Sequence, residues 1–145
     1  MVIRINQMSQ VPIYQQIRNQ IVAAIAAGEV SSGDQLPSVR SLANDLGINL
    51  HTVNKAYTIL RDEGYVLMRG RAGAVVAEPL RAGSEAATDS TAVARAALAD
   101  KRLADGLMLL ALEHKASGGS REAFERAVDH ALDTTYSTTR GNAPD

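Results

Sequence analysis

The sequence lacks features that several classes of protein require. It contains no cysteine, which excludes disulfide bonds and metal sites held by cysteine thiolates. No apolar run reaches the roughly 20 residues that a membrane-spanning helix needs, and residues 1–6 have no apolar signal-peptide core. We therefore expect a cytoplasmic protein with no membrane partner.

The sequence also has few aromatic residues and a net charge close to zero. The chain has no tryptophan, one phenylalanine and four tyrosines, and its formal net charge is −1. So few aromatic side chains predict an aliphatic core and argue against a surface that stacks single-stranded bases. A charge near zero does not by itself indicate a nucleic-acid partner. With 145 residues, 46% of them hydrophobic, the chain is expected to form one domain, or one small domain with an appendage.

Two short amphipathic helices are predicted between residues 38 and 60. Ser38 is a typical N-cap, Gly47 ends the first helix, and Asn49 caps the second. The apolar residues recur at i, i+3, i+4 and i+7, as Val39, Leu42, Ala43 and Leu46 and then as Val53, Ala56, Tyr57 and Leu60. Two such helices joined by a glycine-containing turn of about three residues are typical of a helix-turn-helix, whose second helix enters the DNA major groove.

The side of the second helix opposite its apolar stripe carries polar side chains. His51, Asn54, Lys55 and Thr58 fall on this side, and Thr52 lies at its margin. Short donors and acceptors near the start of a helix suit base edges, whereas a merely solvated face more often carries Glu and long basic residues. We interpret this side as a DNA-contacting face.

A supporting helix is predicted ahead of this motif, with Pro12 as its first residue and Gly28 at its end. Its apolar stripe consists of Ile13, Ile17, Ile21, Ala24 and Ile25. Residues 1–11 are expected to form an extended lead-in that packs on the domain.

A β-hairpin is predicted after the motif. Two β-prone runs, 65–69 and 74–77, flank a four-residue turn with glycine at both ends, residues 70–73. A two-stranded hairpin is marginally stable alone, so it must pack on the helices, with residues 35–36 adding a very short strand. The predicted fold class is therefore mainly α with a small β-hairpin wing, a winged helix-turn-helix domain over residues 1–78.

The rest of the chain is predicted to be a linker and two helices. Residues 79–90 are rich in Ala, Gly, Ser, Thr and charge, as linkers are. One long helix is predicted over residues 91–115, and a last helix follows its N-cap, Ser120; a polar tail is expected from Thr134. These helices carry more apolar surface than they can bury on each other, which predicts that residues 91–145 form an α-helical dimerisation region of a homodimer.

Four segments together resemble the GntR family of bacterial transcription regulators. They are residues 12–18 (PIYQQIR), 33–43 (GDQLPSVRSLA), 47–57 (GINLHTVNKAY) and 60–66 (LRDEGYV). The short two-helix tail further resembles the YtrA subfamily, whose members are dimeric repressors often associated with genes for ABC transporters. The resemblance implies a repressor that binds double-stranded operator DNA, and such regulators commonly act on their own operons.

The resemblance and the polar face together assign DNA contacts to three parts of the motif. They are the first helix with its cap, the second helix with its cap, which we call the recognition helix, and the turn of the hairpin, which we call the wing tip. The residues are Ser38, Arg40, Asn49, Leu50, His51, Thr52, Asn54, Lys55, Arg69, Gly70 and Arg71. Leu50 departs from the basic or polar residue of several relatives. A leucine can contact a thymine methyl group, but it cannot read guanine with two hydrogen bonds.

Other functions would require other sequence features. No nucleophile and base pair or carboxylate dyad is evident, so we expect no enzyme activity and no cofactor. His114 and His130 could hold a metal only if they met across the two tail helices, and no metal site is predicted. One alternative is a regulator with an unknown small-molecule effector in the tail or the interdomain crevice. Another is a helical adaptor whose helix-turn-helix face binds protein.

Overall fold

The computed structural model describes residues 1–70, 73–78 and 90–137. Arg71 and residues 79–89 of the expected linker lie outside these ranges. The chain divides into two compact units, Met1–Arg81 and Ala82–Asp145.

The first unit contains three helices followed by a hairpin. The elements are α1 (Ile13–Ala26), α2 (Val39–Leu46), α3 (Leu50–Asp62), β1 (Val66–Met68) and β2 (Ala74–Val76). Both α1 and α2 pack on α3. The predicted fold class, mainly α with a small β-hairpin, is confirmed.

The core of this unit is aliphatic and is built around α3. The predicted stripe of α3 is fully enclosed, with Val53, Ala56 and Leu60 at 0% exposure and Tyr57 at 2%. The other elements contribute Ile17, Ile21, Ala24, Leu42, Ala43, Val66, Ala74 and Val76. Burial of a side chain as large as valine or leucine stabilises a fold by about 1.5–3 kcal/mol, so this shared core fixes α3 against its neighbours.

The helix ends of the motif follow the predicted capping residues. The Ser38 hydroxyl accepts a hydrogen bond from the Ser41 amide at 3.0 Å. Gly47 ends α2 with a φ of 64°, a left-handed conformation that costs glycine little because it has no Cβ. The prediction for Pro12 was wrong by one residue. Pro12 is the N-cap of α1, with a ψ of 145° that is outside the helical range.

The hairpin pairs antiparallel, with Val66 opposite Val76 and Met68 opposite Ala74. Residues 35–36 lie beside β2, as predicted, but they form a single isolated bridge and not a strand. The Leu36 amide donates to the Ala74 carbonyl at 2.9 Å. This pairing and the burial of Leu36 attach the hairpin to the segment that leads into α2.

Two glutamines of α1 hold the extended lead-in. The Gln20 side chain accepts from the Arg4 amide at 2.9 Å and donates to the Arg4 carbonyl at 2.7 Å. Gln16 makes the same pair of hydrogen bonds to Asn6, both at 2.9 Å. Each side-chain amide thus pairs with a backbone residue as a neighbouring β-strand would. Ile3 and Ile5, which alternate with these residues, pack against the core.

The second unit contains α4 (Ser90–Ala116) and α5 (Arg121–Tyr136). Ser120 caps α5 as predicted, accepting from the Ala123 amide at 3.2 Å. The helix runs to Tyr136, so the prediction of a polar tail from Thr134 was wrong by three residues. None of the helices in the described ranges has both the length and the apolar character that crossing a bilayer requires.

Large apolar side chains of the second unit remain exposed within a single chain. Leu103 is 64% exposed, Met108 63% and Leu112 58%. Val93, Leu98, Leu107, Leu109, Leu110 and Leu132 are exposed as well. We call this set the tail apolar surface.

Tyr57 connects the recognition helix to the entrance of α2. Its hydroxyl donates to the Pro37 carbonyl at 2.7 Å, and the residue is 2% exposed. Burial raises the pKa of Tyr57 to about 12 from its ordinary 10.0, because the desolvated phenolate is disfavoured.

We expect Tyr57→Phe to lower the free energy of unfolding by about 1–2 kcal/mol at pH 7, because the Pro37 carbonyl loses its donor. This difference should shrink at alkaline pH. The unfolded chain releases the phenolic proton near pH 10 and the folded protein near pH 12, so wild type alone loses this part of its stability between pH 10 and 12. Urea unfolding of both proteins at pH 7 and pH 11, followed by circular dichroism, measures both effects. A difference that does not change with pH would show that Tyr57 does not titrate in this way.

Candidate nucleic-acid interface

The recognition helix presents the predicted polar face to solvent. His51, Asn54 and Lys55 are exposed, Thr52 is half-buried, and Leu50 at the first position of the helix is 40% exposed. Because the opposite side of α3 is locked into the core, these side chains stand on a rigid element. A rigid, exposed polar helix face is what major-groove recognition needs.

Asn49 has a structural role at the start of this helix. Its Oδ1 accepts a hydrogen bond from the His51 amide at 2.8 Å, which satisfies one of the free amides of the first turn. The side-chain NH₂ group is not used by this cap, so it can donate to a phosphate or a base.

Two residues at the start of α2 are predicted to contact DNA, and they differ in whether their side chains already form a hydrogen bond. Arg40 is exposed at the second position of α2. The Ser38 hydroxyl, by contrast, is occupied as the acceptor of the α2 cap. A hydroxyl has a second lone pair and one donor, so Ser38 can still contact DNA while it caps the helix.

The wing tip is a tight turn with two left-handed glycines. Gly70 has a φ of 49° and Gly73 a φ of 71°, and the Arg69 amide donates to the Gly73 carbonyl at 2.8 Å. The Arg69 side chain is exposed. Arg71, the other predicted basic residue of this tip, lies outside the described residues.

Three contacts between α1 and its neighbours were missed by sequence reasoning. The Lys55 Nζ lies 4.0 Å from the centroid of the Tyr14 ring. Arg18 forms a salt bridge of 2.7 Å with Glu63. The Cζ atom of Arg18 also lies 5.6 Å from the centroid of the Tyr65 ring. Tyr14 follows the first residue of the α1 apolar stripe, so an aromatic residue at the edge of that stripe was the available signal.

The described residues contain no group of three or more His, Asp or Glu side chains able to hold a metal ion. Apart from Tyr57, no polar or charged side chain of the described ranges is buried. The arrangement is suited to polar recognition at a surface.

An exposed polar helix anchored in a three-helix core and followed by a two-stranded hairpin defines a winged helix-turn-helix protein. Residues 13–76 match the family of bacterial regulatory proteins described as the gntR family. The chain is 35% identical over 97 residues to the HTH-type transcriptional regulator Rv1152 of Mycobacterium tuberculosis, an alignment that spans 65% of this chain and 80% of that protein. The chain therefore belongs to the GntR family of transcriptional regulators, as its sequence motifs indicated.

The likeness to YtrA proteins is also confirmed. The chain is 44% identical over 70 residues to the HTH-type transcriptional repressor YtrA of Bacillus subtilis, and this alignment spans 48% of the chain and 54% of that protein. The chain thus spans about half the length of this relative. The solved structure of YtrA from Sulfolobus acidocaldarius, a GntR-family transcription factor, is 48% identical, with a TM-score of 0.52 over 55% of this chain and 83% of that one. These relatives are transcription regulators and not enzymes.

Two substitutions of Asn49 should separate its capping role from its predicted contact with DNA. Asn49→Ala removes the cap and is expected to lower the free energy of unfolding by about 1 kcal/mol. Asn49→Asp keeps the cap, because an aspartate is as good an N-cap, but its charge repels phosphate and should weaken DNA binding. Urea unfolding and fluorescence anisotropy on a duplex measure the two effects. Unchanged DNA affinity in Asn49→Asp would place this side chain away from the backbone of the duplex.

Proposed function

We propose that the protein is a transcriptional repressor that binds an inverted-repeat operator as a homodimer. The observation that carries the proposal is the exposed polar face of α3, held rigidly by the enclosed stripe on the opposite side of the helix. The relation to the repressor YtrA supports the direction of regulation.

In this proposal the recognition helix reads the major groove. The helix has 13 residues and is therefore about 20 Å long, which allows its first two turns to lie along the groove. His51, Thr52 and Asn54 would hydrogen-bond to base edges, and Leu50 would contact a thymine methyl group. Specificity would then come from a few short side chains and not from long basic ones.

Phosphate contacts would flank the recognition helix. Arg40 on α2, Lys55 on α3 and Arg69 in the wing supply exposed positive charge, with Arg71 and the backbone at Gly70 expected beside them. Each neutralised phosphate releases counterions, so affinity should fall with salt. This local charge would act despite the overall charge of −1.

The tail apolar surface supports the homodimer. Leu103, Met108, Leu109, Leu110 and Leu112 are each more than half exposed and lie on several sides of α4. An exposed apolar surface formed by several large side chains is typical of an interface with another protein. A second copy would enclose α4, and a symmetric dimer matches an inverted repeat whose half-sites lie about 34 Å apart, one DNA turn.

Repression would follow from occupancy of a promoter. A dimer bound across an operator covers the DNA that RNA polymerase needs, and no enzyme activity or cofactor is required. Such a regulator works in the cytoplasm, where bacterial DNA lies.

We expect specific, salt-sensitive binding to the DNA upstream of the protein's own gene. Fluorescence anisotropy on this fragment and on an unrelated duplex, at two salt concentrations, measures it. His51→Ala and Asn54→Ala should each weaken specific binding by about 1–3 kcal/mol if they read bases. Lys101→Gln, which removes a positive charge from α4, serves as the control and should have no effect. Absence of binding to either duplex at low salt contradicts the proposal. If the protein instead bound another protein, with an affinity that salt does not change, the result would favour a helical adaptor.

The dimer should depend on the tail apolar surface. Leu103→Glu combined with Leu110→Glu places two charges on one side of α4 and is expected to convert the dimer to a monomer in sedimentation equilibrium. The matched control is Lys101→Glu, which adds negative charge at an exposed polar position of the same helix. A dimer that survives the double substitution would show that another surface joins the two copies.

A groove between α4 and α5 favours an effector-binding regulator as the second candidate. It has a volume of about 500 Å³ and is lined mainly by apolar side chains, with Leu107, Met108, Phe124 and Val128 among them. That size is within the range of small-molecule sites. A thermal shift on adding candidate metabolites, abolished by Val128→Trp, would support an effector at this groove.

A further inference from the structure

We propose that Tyr14 is a positioning residue that holds Lys55 for contact with a DNA phosphate. This inference rests on the proposed function, since it assumes that the Lys55 face of α3 meets the duplex. It concerns a contact between α1 and α3 that the DNA-binding motif does not include.

The ring of Tyr14 is a fixed support and not a mobile surface group. Tyr14 is the second residue of α1, and its side chain is half-buried against the core of the first unit. The Lys55 Nζ stands 4.0 Å from the ring centroid, well within the 6 Å over which a ring face attracts a cation. The core therefore fixes the ring, and the ring fixes the end of an otherwise flexible side chain.

The chemical nature of this support matters for phosphate binding. An aromatic ring attracts the ammonium group through its quadrupole but leaves its full positive charge and its N–H donors available. A carboxylate partner would cancel that charge. Within the described residues Lys55 has no such partner, and Glu63 is paired with Arg18 at 2.7 Å.

The same pair of helices thus holds two cations in two different ways. Arg18, also on α1, is neutralised by Glu63 and is 25% exposed. Lys55 is exposed and keeps its charge. The first arrangement joins α1 to α3, whereas the second presents a charge in a defined place. Because lysine loses much rotamer freedom when it binds a phosphate, a support that restricts it beforehand strengthens the contact.

The test is a double-substitution cycle measured by fluorescence anisotropy of the full-length protein. The probes are the fragment upstream of its gene and an unrelated duplex of about 30 base pairs, or three helical turns. Tyr14→Leu removes the ring face and should weaken binding to both duplexes by about three- to tenfold. Tyr14→Phe keeps the ring and should restore affinity to within about twofold of wild type. Lys55→Gln should weaken binding and reduce the salt slope by about one.

The decisive variant combines Tyr14→Leu with Lys55→Gln. If Tyr14 acts through Lys55, the leucine substitution has no further effect once the ammonium is gone. An equal loss in both backgrounds would mean that Tyr14 only supports the fold, and tighter binding by Tyr14→Leu would mean that the ring withdraws Lys55 from DNA. Either result overturns the inference about Tyr14. The proposed function still holds in both cases, provided that the wild-type protein binds DNA.

Two further measurements separate the inference from its premise. Without DNA, the Lys55 ε-methylene protons should show an upfield ring-current shift in NMR spectra that Tyr14→Leu removes and Tyr14→Phe retains. Absence of that shift in wild type overturns the inference, whatever the DNA results. If wild-type protein binds neither duplex, the proposed function fails, and the role of Lys55 fails with it.

Discussion

The structure of the first unit depends on the burial of one side of α3. Val53, Ala56 and Leu60 have no exposed surface, and the aliphatic side chains of α1, α2 and the hairpin all meet there. With so few aromatic residues, this core gains its stability from many close aliphatic contacts. The polar face of α3 is rigid because the other face is enclosed. Any change that loosens the stripe would therefore disturb this polar face without altering any of its residues.

Much of this arrangement could be predicted from the sequence because it is local. The spacing of apolar residues defined the buried sides of α1, α2 and α3, and Ser38, Gly47 and Asn49 defined the ends of the helices. Capping depends on residues one to three positions apart, so the sequence displays it directly. The errors were small and concerned helix ends and residues 35–36, which form an isolated bridge and not a strand. Pro12 stands just outside α1, and α5 continues through Thr134 and Thr135 to Tyr136.

The contacts that the sequence did not reveal join residues far apart in the chain. Tyr14 and Lys55, or Arg18 and Glu63, become neighbours only once α1 has packed on α3 at a particular angle and rotation. Neither pair has a spacing that marks it. The role of the described candidate residues in binding DNA, and that of Arg71 outside them, likewise stays a prediction, since exposure makes a side chain available without specifying its partner.

The attachment of residues 1–6 to α1 has a consequence for how the chain tolerates change. Gln16 and Gln20 bind the amide and carbonyl groups of Asn6 and Arg4, which every amino acid except proline possesses. At positions 4 and 6 the segment is therefore held by its main chain, whereas Ile3 and Ile5 pack inward and the Asn6 side chain accepts a hydrogen bond from the Met8 amide at 3.0 Å. Position 4 is exposed and can carry new chemistry, such as a fluorophore or a crosslinker, on an anchored backbone. The N-terminal segment is in this sense a ready attachment point, supported by two glutamines.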